Sequence, residues 1–183
     1  AEAAALLDVR LQAGFTAIQL SLIPFSNVPN TAGERVFLNA STFEPNEAYF
    51  DHADRVLDAL SARGMAAYLV PLWANQVESD SGAYHVKAAA PECDAFGRWL
   101  AGRWRGRANL MWAVGGDIGL GDRGDEGHEQ LVVFRALAEG LRAGGATQLL
   151  TFHPTGGRIP SVGFSSANFL LNESWVDFDS VQV

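Results

Sequence analysis

The sequence is poor in cysteine, in charged residues and in long apolar runs, and each scarcity excludes a class of protein. Cys93 is its single cysteine, so no internal disulfide can form, and we expect a small core residue there rather than a nucleophile. Charged residues make up 19% of the chain, and 13 basic against 21 acidic side chains give a net charge of −8. Such an acidic chain repels phosphate backbones and predicts no nucleic-acid partner. No apolar run reaches the roughly 18 residues that a membrane-spanning helix needs, which predicts no membrane partner.

Several motifs are absent as well. No Gly-x-Ser-x-Gly is present that would support a serine hydrolase. The four histidines have no metal-ligand spacing, and the acidic stretch around Asp122 lacks the spacing of an EF-hand. We therefore expect no metal site and no cofactor. The first residues lack the basic and apolar segments of a secretory signal peptide, and the sequence leaves the compartment open.

Apolar residues form 48% of the chain, and their spacing alternates between that of helices and that of strands. Amphipathic spacing predicts four main helices: one that ends at Gly14, one from Asn46 to Gly64, one around Leu100 and one that ends at Gly144. Apolar runs predict five strands, at 15–22, 65–72, 109–114, 148–152 and 178–183. Long loops are expected at 23–45, 73–90 and 115–127, and a short helical turn near 168–173.

Strands that alternate with helices form a parallel sheet, and two architectures fit this order, a doubly wound sheet and a TIM barrel. The long loops follow the strands, whereas the connections from helix back to strand are short, as at 63–64 and 144–145. Long loops at the carboxyl ends of the strands are typical of a barrel. We therefore expect an α/β fold of the (β/α)₈ TIM-barrel class.

The number of strands predicts a partial barrel. A complete barrel has eight strands, whereas five are predicted here, and the chain starts in a helix with no strand before it. We expect residues 1–183 to be a single partial catalytic domain with about strands 2 to 6, lacking the first strand and the last two strand–helix units. A complete five-stranded domain is the alternative. A partial barrel has two open sheet edges, so we expect this chain alone to be inactive and to associate through those edges.

One acidic residue stands out in the sequence. Residues 109–114 form an apolar strand, and Gly115 and Gly116 follow it directly before Asp117. Glycines let a backbone bend sharply and let a ligand approach closely, so this carboxylate is expected at the rigid edge of a sheet. Glycosidases need a carboxylic acid that protonates the leaving oxygen, and Asp117 fits that role. The alternative is that Asp117 only caps a turn, since Gly-Asp is common in loops.

Other polar and aromatic residues are predicted at the same edge. Trp73 ends its strand and could stack on a sugar, whereas Trp112 lies within a strand and is expected in the core. His153 closes the strand at 148–152 and is expected to bind substrate hydroxyls. Three amide side chains at strand ends or in loops are further candidates for substrate binding: Asn30, Asn75 and Gln182.

Several runs of the sequence resemble one known family. The runs 45–52, 112–117, 152–154 and 175–178 occur in order at sensible separations, and 14–19 and 30–35 are also similar. Together they resemble the apiosidase-like catalytic domain, glycoside hydrolase family 140, formerly domain of unknown function 4038. The resemblance spans essentially the whole chain, and the Gly-Gly-Asp run in its strand context is its most specific part.

The resemblance implies a TIM barrel of the large clan of retaining glycosidases. In that clan the acid/base residue ends the fourth strand and the nucleophile, a glutamate, ends the seventh. Asp117 matches the acid/base position, and the nucleophile is expected outside this chain. Glu173 precedes the last predicted strand and is not expected to replace it. The family's known activity concerns apiose in plant pectin side chains, and a secreted or periplasmic location would fit.

Two other functions stay open at this point. A barrel of this kind could have lost catalysis and kept carbohydrate binding, because a fold does not dictate a function. A metal-dependent barrel hydrolase that uses Asp117, His153 and loop aspartates is the third interpretation. The expected partner is a carbohydrate substrate, and the glycosidase interpretation predicts Trp73, His153 and Gln182 beside Asp117 at the carboxyl ends of the strands.

Overall fold

The computed structural model of the chain describes residues 2–24, 28–73, 89–118, 125–155 and 165–182. The helices of this part are α1 (Glu2–Gln12), α2 (Glu47–Ser61), α3 (Ala90–Trp104), α4 (Asp125–Ala143) and α5 (Ala167–Leu170). Its strands are β1 (Ala17–Ser21), β2 (Phe37–Asn39), β3 (Glu44–Pro45), β4 (Ala66–Val70), β5 (Leu110–Ile118) and β6 (Leu150–Pro154). The predicted order of main helices and of the first four strands is confirmed, with boundaries moved by a few residues.

The main sheet has four parallel strands in the order β1-β4-β5-β6. Parallel neighbours need a crossover between them, and α2, α3 and α4 occupy the three connections. The strand order follows the chain without a reversal, whereas a doubly wound sheet reverses its order at a switch point. This consecutive order is that of a (β/α)₈ barrel, and the carboxyl ends of the four strands, here called the rim, all lie at one edge of the sheet.

The core lies between the sheet and the helices. Side chains alternate across a strand, so Ile18, Ala67, Trp112 and Phe152 face the helices, a side we call the helix side. Trp112 is fully buried and stacks on Trp104 of α3 at 6.0 Å between ring centroids. The expectation that Trp112 belongs to the core is therefore confirmed.

The other side of the sheet is called the mouth side, because in a barrel it faces the interior. Its described apolar cluster is small, with Val70, Trp73 and Ala113 buried and Tyr68 packed against them. Gln19 and Ser21 of the edge strand β1 are exposed. The described residues thus cover the helix side far more completely than the mouth side.

Cys93 lies in the first turn of α3 and is fully buried. Burial raises the pKa of its thiol, and the neighbouring Glu92 acts in the same direction. A thiol with a raised pKa holds little of the reactive thiolate form. Cys93 is therefore the small core residue that the sequence predicted.

Helices α3 and α4 pack with almost no space between their backbones. A Cβ atom built on Gly140 would lie 2.3 Å from the carbonyl oxygen of Asp94, and one built on Gly97 would lie 2.5 Å from that of Leu137. A Cβ atom built on Gly144 would lie 2.7 Å from the carbonyl oxygen of Arg98. Any larger side chain would have to push backbone atoms apart, so these glycines set the distance between the two helices.

Charged residues join α2 to α3. Arg103 donates to Asp51 at 2.6 Å and to Asp54 at 2.6 Å, and it also contacts Glu47. The other oxygen of Asp54 accepts from the indole Nε1 of Trp104 at 2.6 Å and from Arg107 at 2.9 Å. Burial raises the pKa of Asp54, but these hydrogen bonds and charges outweigh it and leave the pKa below its usual value.

The long loop predicted at 23–45 carries a small two-stranded antiparallel sheet, β2 with β3. Aromatic packing explains it, because Phe37 stacks on Phe43 at 4.6 Å and both rings meet Phe96 of α3 edge-on. A loop that buries two phenylalanines gains enough apolar contact to order its backbone. The prediction of a loop without strands was wrong in this part.

The strand predicted at 178–183 is not formed over the described residues 178–182. Asp177 starts beside β6, since its N–H donates to Leu150 O at 2.9 Å, and Thr151 Oγ1 donates to Phe178 O at 2.7 Å. Further on, the carboxylate of Asp179 accepts from Ser165 and Ser166 before α5. Val181 then makes a single antiparallel bridge to Ser165.

Candidate active site

The predicted proton donor lies at the end of β5, and the strand is longer than the sequence indicated. A strand was predicted at 109–114 with a loop after it, whereas β5 continues through both glycines and Asp117 to Ile118. Asp117 therefore belongs to the sheet. The prediction of a loop was wrong. It rested on glycine pairs being usual in turns, whereas this pair lies within a strand and allows close packing on it.

Two β-bulges lie in β5 just before its end. Ala113 pairs with Thr151, Gly116 with His153, and Ile118 with Pro154, so β5 uses more residues than β6 over the same length. The second bulge leaves Asp117 as the extra residue opposite β6. Bulges re-aim side chains at sheet edges and next to active sites. Asp117 has an exposed side chain and a φ of 59°, in the left-handed region that aspartate tolerates better than most residues.

The two glycines before Asp117 are required by close packing on opposite sides of the sheet. A Cβ atom on Gly115 would lie 2.2 Å from the ring of Phe134, on the helix side. A Cβ atom on Gly116 would lie 2.6 Å from the ring of Trp73 and 2.8 Å from Cβ of His153, on the mouth side. Neither glycine has a positive φ, so the sharp bend expected of the pair occurs at Asp117 instead. The close approach that the glycines were expected to allow is present, but the groups that approach them are the rings of Phe134 and Trp73 and not a ligand.

Trp73 follows β4 and is 6% exposed. Its indole Nε1 donates to Ser21 Oγ at 2.7 Å, and the hydroxyl of Ser21 donates to Ile23 O at 2.7 Å. The opposite edge of the ring lies against Gly116 and His153, with 5.3 Å between the Trp73 and His153 ring centroids and an interplanar angle of 81°. Trp73 therefore offers little surface to a ligand and much of it to its neighbours.

His153 lies next to last in β6 and is half-buried. Burial lowers the pKa of its imidazole, and the charge of Asp117 partly opposes that effect. A lowered pKa keeps His153 neutral around pH 7, when one ring nitrogen donates a hydrogen bond and the other accepts one. A neutral imidazole of this kind suits a sugar hydroxyl, which both donates and accepts.

Asn30 has a structural task in its loop. Its Oδ1 accepts from the backbone N–H groups of Ala32 at 2.9 Å and Glu34 at 3.0 Å, and Glu34 in turn accepts from Asn46 at 2.9 Å. Asn46 caps α2, so the network ties the loop to that helix. Among the described contacts, none joins Asn30 to Asp117, His153 or Trp73.

Gln182 is half-buried, and its Oε1 has no hydrogen-bond partner among the described residues. Two residues earlier, Ser180 Oγ lies 3.2 Å from the hydroxyl of Tyr68, which belongs to the mouth side. Asn75 lies outside the described residues. The structure thus brings Trp73, His153 and Asp117 together, and no described contact adds Asn30 or Gln182 to them.

Ser21 is the residue at this rim that the sequence prediction missed. It is the last residue of β1, and its hydroxyl holds the indole of Trp73. A polar residue at the last position of an apolar strand was the available signal, the same one that pointed to His153. Among the described residues, no group of three or more histidine, cysteine, aspartate or glutamate side chains is arranged to hold a metal ion. None of the described helices has the length and apolar character for crossing a membrane.

Known proteins resemble the chain in sequence and in structure. The model of one family, described as "Apiosidase-like, catalytic domain", matches residues 1–183. No curated protein matches the chain. Among solved structures, a glycoside hydrolase family 5 protein from Bacteroides vulgatus ATCC 8482 is 28% identical, with a TM-score of 0.78 over 99% of this chain. A second structure, named only as a glycoside hydrolase, is 28% identical, with a TM-score of 0.77 over 97% of this chain.

The chain spans 36% and 37% of those two solved chains, and so about a third of their length. A family 5 xyloglucanase from Paenibacillus pabuli shares the fold alone, at 13% identity and a TM-score of 0.59 over 80% of this chain and 42% of its own. These neighbours are glycoside hydrolases, and their agreement with the four-stranded parallel sheet confirms the barrel class. Because the family model covers the whole chain, the protein belongs to the apiosidase-like catalytic domain family.

Proposed function

We propose that the chain supplies the proton donor of a retaining glycoside hydrolase, with Asp117 as the general acid and base. The observation that carries this proposal is the placement of Asp117. It is the extra residue of a bulge at the carboxyl end of a parallel strand, exposed, and beside the half-buried imidazole of His153. Active sites of (β/α)₈ barrels lie at that end of the strands.

In the proposed mechanism Asp117 makes two successive proton transfers. In the first step its carboxylic acid protonates the glycosidic oxygen as the bond to the sugar breaks and a nucleophilic carboxylate attacks the anomeric carbon. In the second step the Asp117 carboxylate takes a proton from water, which attacks the same carbon and releases the sugar. The rigid strand and its bulge keep the carboxyl group at one position for both steps, as proton transfer requires.

The nucleophile is proposed to be a glutamate outside residues 1–183. Glu173 does not suit the role, because it accepts from Arg135 at 2.6 and 2.9 Å and from the indole of Trp175 at 2.8 Å. The hydrogen bond from Arg135 is the main cause that lowers the pKa of Glu173. This hydrogen bond joins α4 to the segment after α5. No described contact links Glu173 to Asp117. Residues 1–183 alone are accordingly expected to be inactive.

Substrate recognition is proposed for His153 and the residues around it. A neutral His153 can donate to one sugar hydroxyl and accept from another, while Trp73 forms the wall behind it. Asn30, Asn75 and Gln182 stay proposed substrate contacts from the sequence, and no described contact joins Asn30 or Gln182 to Asp117 or His153. The name of the family suggests an apiose-containing carbohydrate as substrate, such as a pectin side chain.

The test uses the full-length protein that carries this chain. It should hydrolyse a pectin oligosaccharide with apiose side chains and a 4-nitrophenyl apioside. Asp117→Asn should lower kcat/KM on the oligosaccharide about 10³-fold, because a poor leaving group needs protonation. The aryl glycoside should lose much less. Asp94→Asn, in an exposed ion pair with Arg98 on α3, is the matched control and should leave both rates unchanged.

Three results are distinguishable in this experiment. Equal losses on both substrates would show that Asp117 does not act as the acid. Sugar binding by calorimetry without hydrolysis of either substrate would favour the non-catalytic carbohydrate-binding barrel. Hydrolysis that a metal chelator abolishes would favour the metal-dependent hydrolase.

A further inference from the structure

A continuous set of contacts crosses the rim of the sheet, with one residue at each strand end. Ser21 at the end of β1 binds Trp73, which follows β4; Trp73 packs on Gly116 of β5 and on His153 of β6. We call these four residues the rim brace. Asp117 follows Gly116 directly, so the brace ends beside the predicted proton donor.

The first contact of the rim brace is directional. Ser21 Oγ accepts from the indole Nε1 of Trp73 at 2.7 Å, and its own proton goes to Ile23 O at 2.7 Å. With its proton committed to a backbone carbonyl, the hydroxyl presents a lone pair to the indole in one direction. Ser21 thus selects one rotation of the Trp73 side chain.

The remaining contacts of the rim brace are steric. A Cβ atom on Gly116 would lie only 2.6 Å from the far edge of the indole. The imidazole of His153 meets the same indole edge-on. A ring that close leaves neither residue room to shift toward it. Any rotation of Trp73 would therefore open a gap at Gly116 and His153 together.

We propose that Ser21 is a positioning residue of the active site, which acts through Trp73 to hold His153 and the bulge of Asp117 in place. This proposal rests on the proposed function for its kinetic consequence, but its structural consequence is independent of catalysis. Ser21 lies three strands away from His153 in the sheet, and the described contacts give it no direct bond to His153 or Asp117.

Removal of the hydroxyl should act at a distance. Without Ser21 Oγ the indole loses its 2.7 Å acceptor and its preferred rotation, and water gains access to the imidazole of His153. Burial is the main cause of the lowered pKa of His153, so this pKa should move up toward its usual value. Asp117 is the charged group that acts on His153 among the described residues, and it also favours the protonated form.

The experiment compares Ser21→Ala, Ser21→Thr and Ser61→Ala with the unchanged full-length protein. Thr keeps the hydroxyl, and Ser61 is an exposed serine at the last residue of α2, at the opposite end of the sheet. NMR on protein with labelled histidine and tryptophan measures the pKa of His153 and the hydrogen exchange of the Trp73 indole N–H. Variants His153→Gln and Trp73→Phe assign the two signals. Kinetics use the same pectin oligosaccharide with apiose side chains.

In Ser21→Ala the pKa of His153 should rise, the indole exchange should become faster, and kcat should fall about tenfold with a smaller change in KM. Ser21→Thr should restore all three quantities, and Ser61→Ala should change none. An unchanged His153 pKa and unchanged exchange in Ser21→Ala would overturn the proposal. The two NMR changes in a protein that hydrolyses no glycoside would support the rim brace and overturn the proposed function instead.

Discussion

The two sides of the sheet are built by different means. The helix side is filled by large apolar side chains with no exposed surface, such as Trp112, Phe152 and Leu150. Among the described residues the mouth side has a small buried cluster around Trp73, and its positions are set by one directional hydrogen bond, the close approach at Gly116 and two bulges. Packing of large apolar side chains thus determines the structure of the helix side, whereas individual contacts determine the positions of side chains on the mouth side.

This difference separates stability from function. A side chain that fills volume contributes to the free energy of folding wherever it lies, and many substitutes of similar size would serve. The bulge in β5 instead sets where the carboxylate of Asp117 lies, which in the proposed mechanism is the position of the proton donor. The predictions below use pairs of variants, one from each side, to test how far this separation holds.

The largest effect on stability is expected at Trp112 on the helix side. Trp112→Ala removes a fully buried ring that stacks on Trp104, and it should lower the free energy of unfolding by about 3–5 kcal/mol. His153→Ala on the mouth side should cost under about 1 kcal/mol, because the imidazole is half-buried and its loss leaves no large cavity. Urea unfolding of the full-length protein measures both. Similar losses in the two variants would contradict the separation.

A second effect tests the glycine on the mouth side. Gly116→Ala places a methyl group where the rings of Trp73 and His153 already lie, so both must move. Kcat/KM should fall about 10²-fold from displacement of the site, and the free energy of unfolding should fall by about 1–3 kcal/mol. Steady-state kinetics and urea unfolding measure the two changes. A variant with normal kinetics would show that this contact does not hold the site.

Gly140 is the corresponding glycine between α3 and α4. Gly140→Ala forces a methyl group to within 2.3 Å of a backbone oxygen and should destabilise the protein by about 1–3 kcal/mol without a change in KM. Gly102 of α3 is the matched control, since a Cβ atom there meets nothing within 4 Å. Gly102→Ala should stabilise the protein by up to about 1 kcal/mol through helix propensity. Thermal unfolding measures the change in stability of both variants. Stability changes of the same sign in Gly140→Ala and Gly102→Ala would contradict the prediction.

The sequence predicts the helix side better than the mouth side, because burial produces a periodic pattern in the sequence whereas individual contacts do not. Apolar periodicity reports which face of an element is buried, so the main helices, the parallel strands and the core position of Trp112 could be derived from it. The hydrogen bond from Trp73 to Ser21 joins residues that are 52 positions apart, and no local pattern records it. Periodicity also says nothing about bulges, which is why the glycine pair of β5 was assigned to a loop.

The candidate site was predictable to the extent that it consists of strand ends. Asp117, His153 and Trp73 each end or follow an apolar run, and parallel strands bring such ends to one edge. The same rule predicts a rim position for Asn30 in a loop, but no pattern in the sequence fixes the distance of a loop residue from the strands. Its carbonyl oxygen serves the loop itself, as asparagine side chains often do in turns.

The smallest expected effect concerns the pH dependence of stability, and it separates the two sides by pH window. The pKa of Asp54, between α2 and α3, is lowered in the folded state. Its contribution is therefore present above its unfolded pKa, near 3.8, and is lost as the pH falls through the folded value. The pKa of His153 is also lowered, so the unfolded state binds the extra proton first. Stability from His153 is then lost as the pH falls below about 6.5.

Two variants assign these windows in the full-length protein. His153→Gln should flatten the change in the free energy of unfolding as the pH falls below about 6.5, and Asp54→Asn should flatten it as the pH falls below about 4. Urea unfolding at a series of pH values measures both. Burial is the main cause at His153, whereas at Asp54 hydrogen bonds and ion pairs with arginines contribute to the lowered pKa, so added salt should weaken the second effect and leave the first. If the change in stability near pH 6 depends on salt, then charge, rather than burial against Trp73, sets the protonation state of His153.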